Sequence, residues 1–419
     1  MKKLLLMALS LVLVLGLIAG CTPATPTTTT SAPKVTETEP PKTEAPEKTE
    51  PTDTDAPEET DPPAETDPPE TEPAEETDPP ATGDKVYNIA NLVNGNLGDK
   101  SFFDSAYAGL QQLEADGRIK FRTIEMGGRD EDQPKWLETL YDVAESGEYD
   151  LIICGTYQMP EYLTEVAAAY PDQKFLIYDS QAEGDNIVNI NYKQNDMGYL
   201  IGIVAAGVTA DTSIDKINED SVIGFVGGVD SPVINDFLYG FLLGAQSVNE
   251  DIMVDTRYVN NYVDPAKGKE LATSMINDKG VDVVWGVAGL SGNGAAEAAE
   301  ETGKAWFIGV DSDQELTLSK ELAAVTLTSG LKNIGNSIIW YIDELDAGRE
   351  HYGDTILLGL TEGGVGIVTD KNFDKIVPEN VKQLVKEAEE KIAAGELEVP
   401  TAIGLETKEL EELRDKLQP

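Results

Sequence analysis

The residues best suited to chemistry stand at the end of one apolar run. Val86–Val93 reads as an extended strand, with Val86, Ile89, Leu92 and Val93 apolar. It stops at Asn94-Gly95-Asn96-Leu97-Gly98-Asp99-Lys100-Ser101-Phe102-Phe103-Asp104. Phe103, Ala106, Tyr107, Leu110 and Leu113 then recur at helical spacing, and Ser101 three residues before Asp104 predicts a capping box. Such a start sets backbone N–H groups, an acid (Asp99) and an aromatic (Phe102) at the carboxyl edge of a sheet, where open α/β sheets bind small molecules. An ordinary βα turn with a helix cap would read the same way, and the residues alone leave both open.

Other chemistries find little support. His351 is the single histidine and sits in a polar Glu350–Asp354 loop with no nucleophile motif nearby. A Ser-His-Asp or Cys-His site would need that one residue, and zinc held by several histidines is excluded. Cys21 and Cys154 are the two cysteines, too few for a disulfide framework or a Cys-pair metal site once Cys21 is set aside. No G-x-G-x-x-G and no P-loop occur. Gly289-Leu290-Ser291-Gly292-Asn293-Gly294 lacks the dinucleotide spacing. No catalytic residue, cofactor or metal is expected, and an enzyme is disfavoured.

The elements that must carry these residues repeat. Strands are predicted at Phe121–Ile124, Leu151–Cys154, Lys174–Tyr178 and Ile187–Ile190, with helices near 134–144 and 160–170. Continuous apolar runs such as Leu151-Ile152-Ile153-Cys154 suit strands covered on both faces. Met197–Val208 is a buried helix rich in small residues. Strands follow at 221–226, 253–259, 281–288 and 306–310, with helices at 233–248, 265–277, up to Thr302, and about 333–345. A short strand is expected at Val325–Thr328, placing Lys332 at a helix start. Strands alternating with helices mean parallel, doubly wound sheets, and the series runs twice, so two similar α/β lobes with a ligand cleft between them are expected. Segments 381–394 and 408–416 are amphipathic and should cover a lobe.

The first 84 residues differ in kind. Lys2 and Lys3 precede an apolar run from Leu4 to Ile18 and then Ala19-Gly20-Cys21, a secretory signal too short for a membrane span. Leu17-Ile18-Ala19-Gly20-Cys21 resembles a bacterial lipobox, in which Cys21 is lipidated and becomes the mature N-terminus. Thr22–Asp84 holds 15 of the 23 prolines and 18 acids against three lysines, with Val35 as its one large aliphatic. It cannot bury enough surface to offset its ordering entropy. It reads as an extended tether. Setting aside the +2 of the signal and the −15 of the tether, a total of −46 leaves −33 on residues 85–419. That excess argues against nucleic acid as partner.

Four stretches, taken in order, carry a resemblance. They are Gly98-Asp99-Lys100-Ser101-Phe102; Ile223-Gly224-Phe225-Val226-Gly227-Gly228; Asp264-Pro265-Ala266-Lys267-Gly268-Lys269; and Ile308-Gly309-Val310-Asp311-Ser312-Asp313-Gln314 followed by Thr328-Ser329-Gly330-Leu331-Lys332. Over roughly Val86–Leu345 the chain resembles the basic-membrane-protein family of bacterial lipoproteins, ABC-importer substrate-binding proteins that include purine nucleoside receptors. The resemblance implies a two-lobed periplasmic-binding-protein fold of type I, with three crossovers and hinge closure on a ligand in the cleft. It implies that Phe102 and Tyr262 stack on a purine, that Asp311 takes ribose hydroxyls with Lys332 near it, and that Asn94 occupies the place of a base-reading acid. Asp99 and Gly289 are candidate ligand contacts, although Gly227-Gly228 and Gly289 serve equally well as tight turns.

The expected molecule is thus a monomeric, lipid-anchored receptor on the outer face of a bacterial cell membrane. It would serve an ABC permease and ATPase and bind a nucleoside, with a sugar-like ligand or a sensory role as alternatives. Its lobes are expected at about 85–192 plus 312–345 and 193–311 plus 346–370, with C-terminal helices over 378–417.

Overall fold

The computed structural model describes residues 85–404 and 407–419. The signal, lipobox and tether expectations for residues 1–84 lie outside the described residues. The first half runs β1 (Tyr87–Val93), α1 (Phe102–Ala115), β2 (Ile119–Glu125), α2 (Gln133–Ser146), β3 (Leu151–Gly155), α3 (Pro160–Ala169), β4 (Phe175–Tyr178) and β5 (Ile187–Tyr192). The second half repeats the scheme: α4 (Gln194–Thr209), β6 (Val222–Gly227), α5 (Pro232–Val248), β7 (Met253–Tyr258), α6 (Pro265–Lys279), β8 (Val281–Val287), α7 (Asn293–Thr302), β9 (Trp306–Asp311), the single turns α8 (Gln314–Thr317) and α9 (Lys320–Ala323), and β10 (Thr326–Lys332). There follow α10 (Ile334–Asp346), β11 (Thr355–Leu358), β12 (Val365–Ile367), α11 (Lys371–Ile376), α12 (Glu379–Ala393) and α13 (Thr407–Leu417).

Two six-stranded sheets result, ordered β11-β5-β4-β3-β1-β2 and β12-β10-β9-β8-β6-β7. The first is parallel throughout and the second is parallel except for β12. The expected doubly wound α/β architecture is borne out. Strands β3, β4, β6, β8 and β9 are buried along their whole length, as their unbroken apolar runs require when helices cover both faces.

Helix α4 is buried at nearly every position, and its small residues let it lie backbone to backbone on α5. A Cβ on Gly202 would sit 2.3 Å from the Phe241 carbonyl oxygen, and one on Gly244 2.0 Å from that of Tyr199.

The lobe boundaries need correcting. The return from the second lobe to the first was expected near 312, but β10 pairs with β9 in the second sheet, so the chain crosses only after Lys332. Helix α10 then packs on α1, and β11 adds to β5 in the first sheet. The chain therefore passes between the sheets at 193, at 333 and across 359–364. These segments run side by side: Lys193 N donates to Leu358 O at 2.9 Å, and Asn333 N to Gly364 O at 2.9 Å. Helices α12 and α13 pack on α4, and on β7 and α5, in the second lobe.

Candidate ligand-binding cleft

The carboxyl ends of both sheets open onto one shared cavity, whose empty space together with the open solvent at its mouth is about 820 Å³. The first lobe lends it Asn94, Asp99, Phe102, Thr156, Tyr157, Gln158 and Asp179. The second lends Phe237, Tyr262, Gly289, Asp311 and Lys332. All seven cleft residues singled out from the sequence thus line the same space.

Two aromatic rings furnish its walls. Phe102 opens α1 and is propped by Phe103 edge-on at 5.1 Å and by Tyr178 at 5.4 Å. Tyr262 lies in the loop before α6, close against Gly228, where a Cβ would come within 2.1 Å of the ring. Glycine is needed there for close approach rather than for an unusual dihedral. Gly289 does need its freedom: it turns with φ +53° directly beside Tyr262.

The floor is charged. Asp311 ends β9 in a left-handed corner, φ 63°, and its Oδ1 is buried with no hydrogen-bond partner. Burial pushes this carboxyl up to about 7; the Lys332 ammonium opposes the shift, while Asp179 and Asp99 add to it. Lys332 is not at a helix start, as its sequence suggested. It is the last residue of β10, 1 % exposed, and its Nζ donates to Asp179 Oδ1 at 2.5 Å. The Phe237 ring centroid stands 4.5 Å from that ammonium and the Tyr192 ring 5.6 Å. A cation sunk this far must be paired, and its partner is Asp179, which the sequence reading passed over. Burial raises the Asp179 carboxyl, and Lys332 counters the shift.

Asn94 follows β1 and donates through Nδ2 to Thr156 Oγ1 at 2.7 Å and Gln158 Oε1 at 3.4 Å, while its buried Oδ1 finds no partner. Asp99 differs from its expectation in what occupies its oxygens. They accept from the backbone N–H of Ser101 (3.1 Å), Phe103 (2.9 Å) and Asp104 (3.2 Å), so Asp99 caps α1. The predicted Ser101–Asp104 box does not form. The Ser101 hydroxyl has no partner, and Asp104 accepts from Gly98 N and Lys100 N.

The residues missed had one signal. Asp179 directly follows β4 with φ 61°, the counterpart of Asp311 at the end of β9 with φ 63°, so aligning the two halves would have found it. Among the described residues no group of three or more His, Cys, Asp or Glu could hold a metal ion. His351 Nε2 lies 2.8 Å from Glu344 Oε2, and neither residue lines the cleft.

Residues 86–402 match the family model of the PnrA-like ABC transporter substrate-binding proteins, Bmp. The chain belongs to this family. Among Bmp relatives it is 32% identical over 318 residues to the CD4+ T-cell-stimulating antigen of Listeria monocytogenes, covering 73% of this chain and 85% of that one. It is 31% identical over 325 residues to the ABC transporter nucleoside-binding protein BmpA of Lactococcus lactis, covering 74% and 87%. A solved solute-binding protein of an ABC transporter system from Aeropyrum pernix superposes with a TM-score of 0.67 at 27% identity, covering 79% of this chain and 98% of that one. The resemblance read from four short motifs thus holds along the folded chain, and Bmp relatives are solute-binding proteins rather than enzymes.

Proposed function

We propose that this Bmp-family chain is a lipid-anchored receptor that captures a purine nucleoside between its lobes for an ABC importer. The observation that carries the reading is the Asp311 carboxyl, buried with an unpartnered oxygen on the floor of a cleft walled by Phe102 and Tyr262. A buried acceptor without a donor is costly, and the vicinal hydroxyls of a ribose would supply two charge-assisted bonds to it. Two rings from opposite lobes suit a flat base, each stack contributing about 1–3 kcal/mol. Asn94 Oδ1 offers a further acceptor to an N–H on the base edge. The relative from Lactococcus lactis, named as nucleoside-binding, agrees. Cys21, in its lipobox, is the proposed anchor, and the permease and ATPase of an importer are the proposed partners.

Calorimetric titration of the purified protein with adenosine, guanosine and inosine, their free bases and ribose tests the reading. Nucleosides are expected to bind more tightly than either of their parts. Binding of ribose or another sugar alone, with nucleosides ignored, would replace the purine ligand by a sugar. Mass spectrometry of small molecules released from the native protein gives an independent answer.

A further inference from the structure

The two motifs that supply Phe102 and Asp311 also contain residues that line no part of the cleft: Lys100, Ser101, Ser312 and Gln314. These meet one another. Three successive carbonyls of the first lobe accept side-chain bonds from the second: Asp99 O from Asn293 Nδ2 at 3.1 Å, Lys100 O from Thr317 Oγ1 at 2.9 Å and Gln314 Nε2 at 3.4 Å, and Ser101 O from Ser312 Oγ at 2.9 Å.

The donors are held ready within their own lobe. Gln314 Nε2 also donates to Asn293 Oδ1 at 3.1 Å, and Gln314 Oε1 accepts from Val310 N at 3.1 Å, one residue from Asp311. Lys100, a non-glycine residue, takes the left-handed φ of 63° in the turn that presents these carbonyls, a conformation such residues adopt at a cost.

We propose that Asn293, Ser312, Gln314 and Thr317 are positioning residues forming an interlobe latch, which sets ligand affinity without touching the ligand. The latch closes only when the Phe102 and Asp311 loops stand opposite each other, so its bonds add to the closed state alone. Apparent affinity scales with the fraction of chains in the competent state. The latch therefore strengthens every ligand by one factor and leaves selectivity alone. The choice of nucleosides as probes rests on the proposed function; the latch itself does not.

The test pairs Ser312→Ala with Thr317→Val, removing two hydroxyls that are half-buried and exposed. Spin labels on cysteines introduced at exposed Glu138 of α2 and Glu300 of α7 read the interlobe distance in the full mature chain. Ligand-free wild type is expected to show a closed population that falls about tenfold in the double variant, from two bonds of ordinary net strength. The Kd values for adenosine, guanosine and inosine should each rise about tenfold, and Ser312→Ala with Thr317→Ser, which restores one of the two hydroxyls, should recover about threefold of each loss. Identical distance distributions in wild type and variant would overturn the latch, as would a loss confined to one nucleoside, which would make the hydroxyls ligand readers. A chain that binds none of the three nucleosides yet loses its closed population in the variant would sink the nucleoside reading and leave the latch standing.

Discussion

At the scale of single residues, protonation decides. The unfolded Asp311 ionises near 3.8 and the folded one near about 7, so the native chain holds an extra proton between these values. Stability from this group is therefore full below pH 3.8, falls as pH climbs through the window, and falls no further above 7. Lys332, Asp179 and Asp99 share the site, and Asp99 is itself raised to about 6 by burial. A ligand that donates to the ionised carboxyl pulls the other way. Nucleoside affinity should rise up to about tenfold per pH unit from 5 to 7 and level off above, with protons released on binding at pH 6. Titrations in buffers of different ionisation heat measure that release, and a pH-independent Kd would show that Asp311 does not take the sugar. Asp311→Ala should lower nucleoside affinity by about 2–4 kcal/mol and free-base affinity little, because bonds to charged groups contribute about 1.5–3 kcal/mol each without full additivity. Phe102→Ala should weaken nucleosides by one to two decades through a lost stack of about 1–3 kcal/mol; unfolding instead would mark the ring as a core residue. Lys332→Met strands Asp179 and should cost about 3–5 kcal/mol of stability. Adding Asp179→Asn should recover much of it in chemical denaturation. Phe102 and Asp311 were legible because motif and edge position coincide. Asp179 was not, since its partner lies 153 residues away and only folding brings them together. The helix-capping duty of Asp99 was hidden because a carboxylate beside a helix start reads alike as cap and as ligand contact.

Elements were legible wherever burial is two-sided. Runs such as Leu151–Gly155 have one home, a central parallel strand. β10 was cut short at Thr328 because Ser329-Gly330 looks like loop chemistry. The strand tolerates Ser329 because its hydroxyl accepts from Gln314 N at 3.1 Å while the backbone stays paired with β9 and β12. That misplaced end also put Lys332 on a helix and drew the lobe boundary about twenty residues early, since periodicity reports burial but not which sheet a strand joins. The small residues on the facing sides of α4 and α5 carried a clearer message. Gly244→Ala should drive a methyl into the Tyr199 carbonyl, and overpacking of this kind costs about 1–3 kcal/mol or more. A lowered urea midpoint with an unchanged slope is the expected record, and an unchanged midpoint would mean that the α4–α5 contact yields freely.

Over the whole molecule, Cys21→Ser should move the protein from the membrane fraction to the soluble one while the nucleoside Kd of the purified protein stays put. Retention on membranes would refute the lipobox. The three strips that join the lobes carry a consequence of another sort. Lying abreast and bonded to one another at 193 with 358 and 333 with 364, they act as a strap hinge rather than a ball joint. Bending about their common line is soft, whereas swivelling would stretch one strip and buckle its neighbour. If the lobes close on a solute as proposed, these strips would leave that motion one main degree of freedom and make the space between Phe102 and Tyr262 a gauge with one moving jaw. On that reading a solute too thick for the gap could not be met by a sideways twist of the lobes and would be refused on thickness before any hydrogen bond is tried.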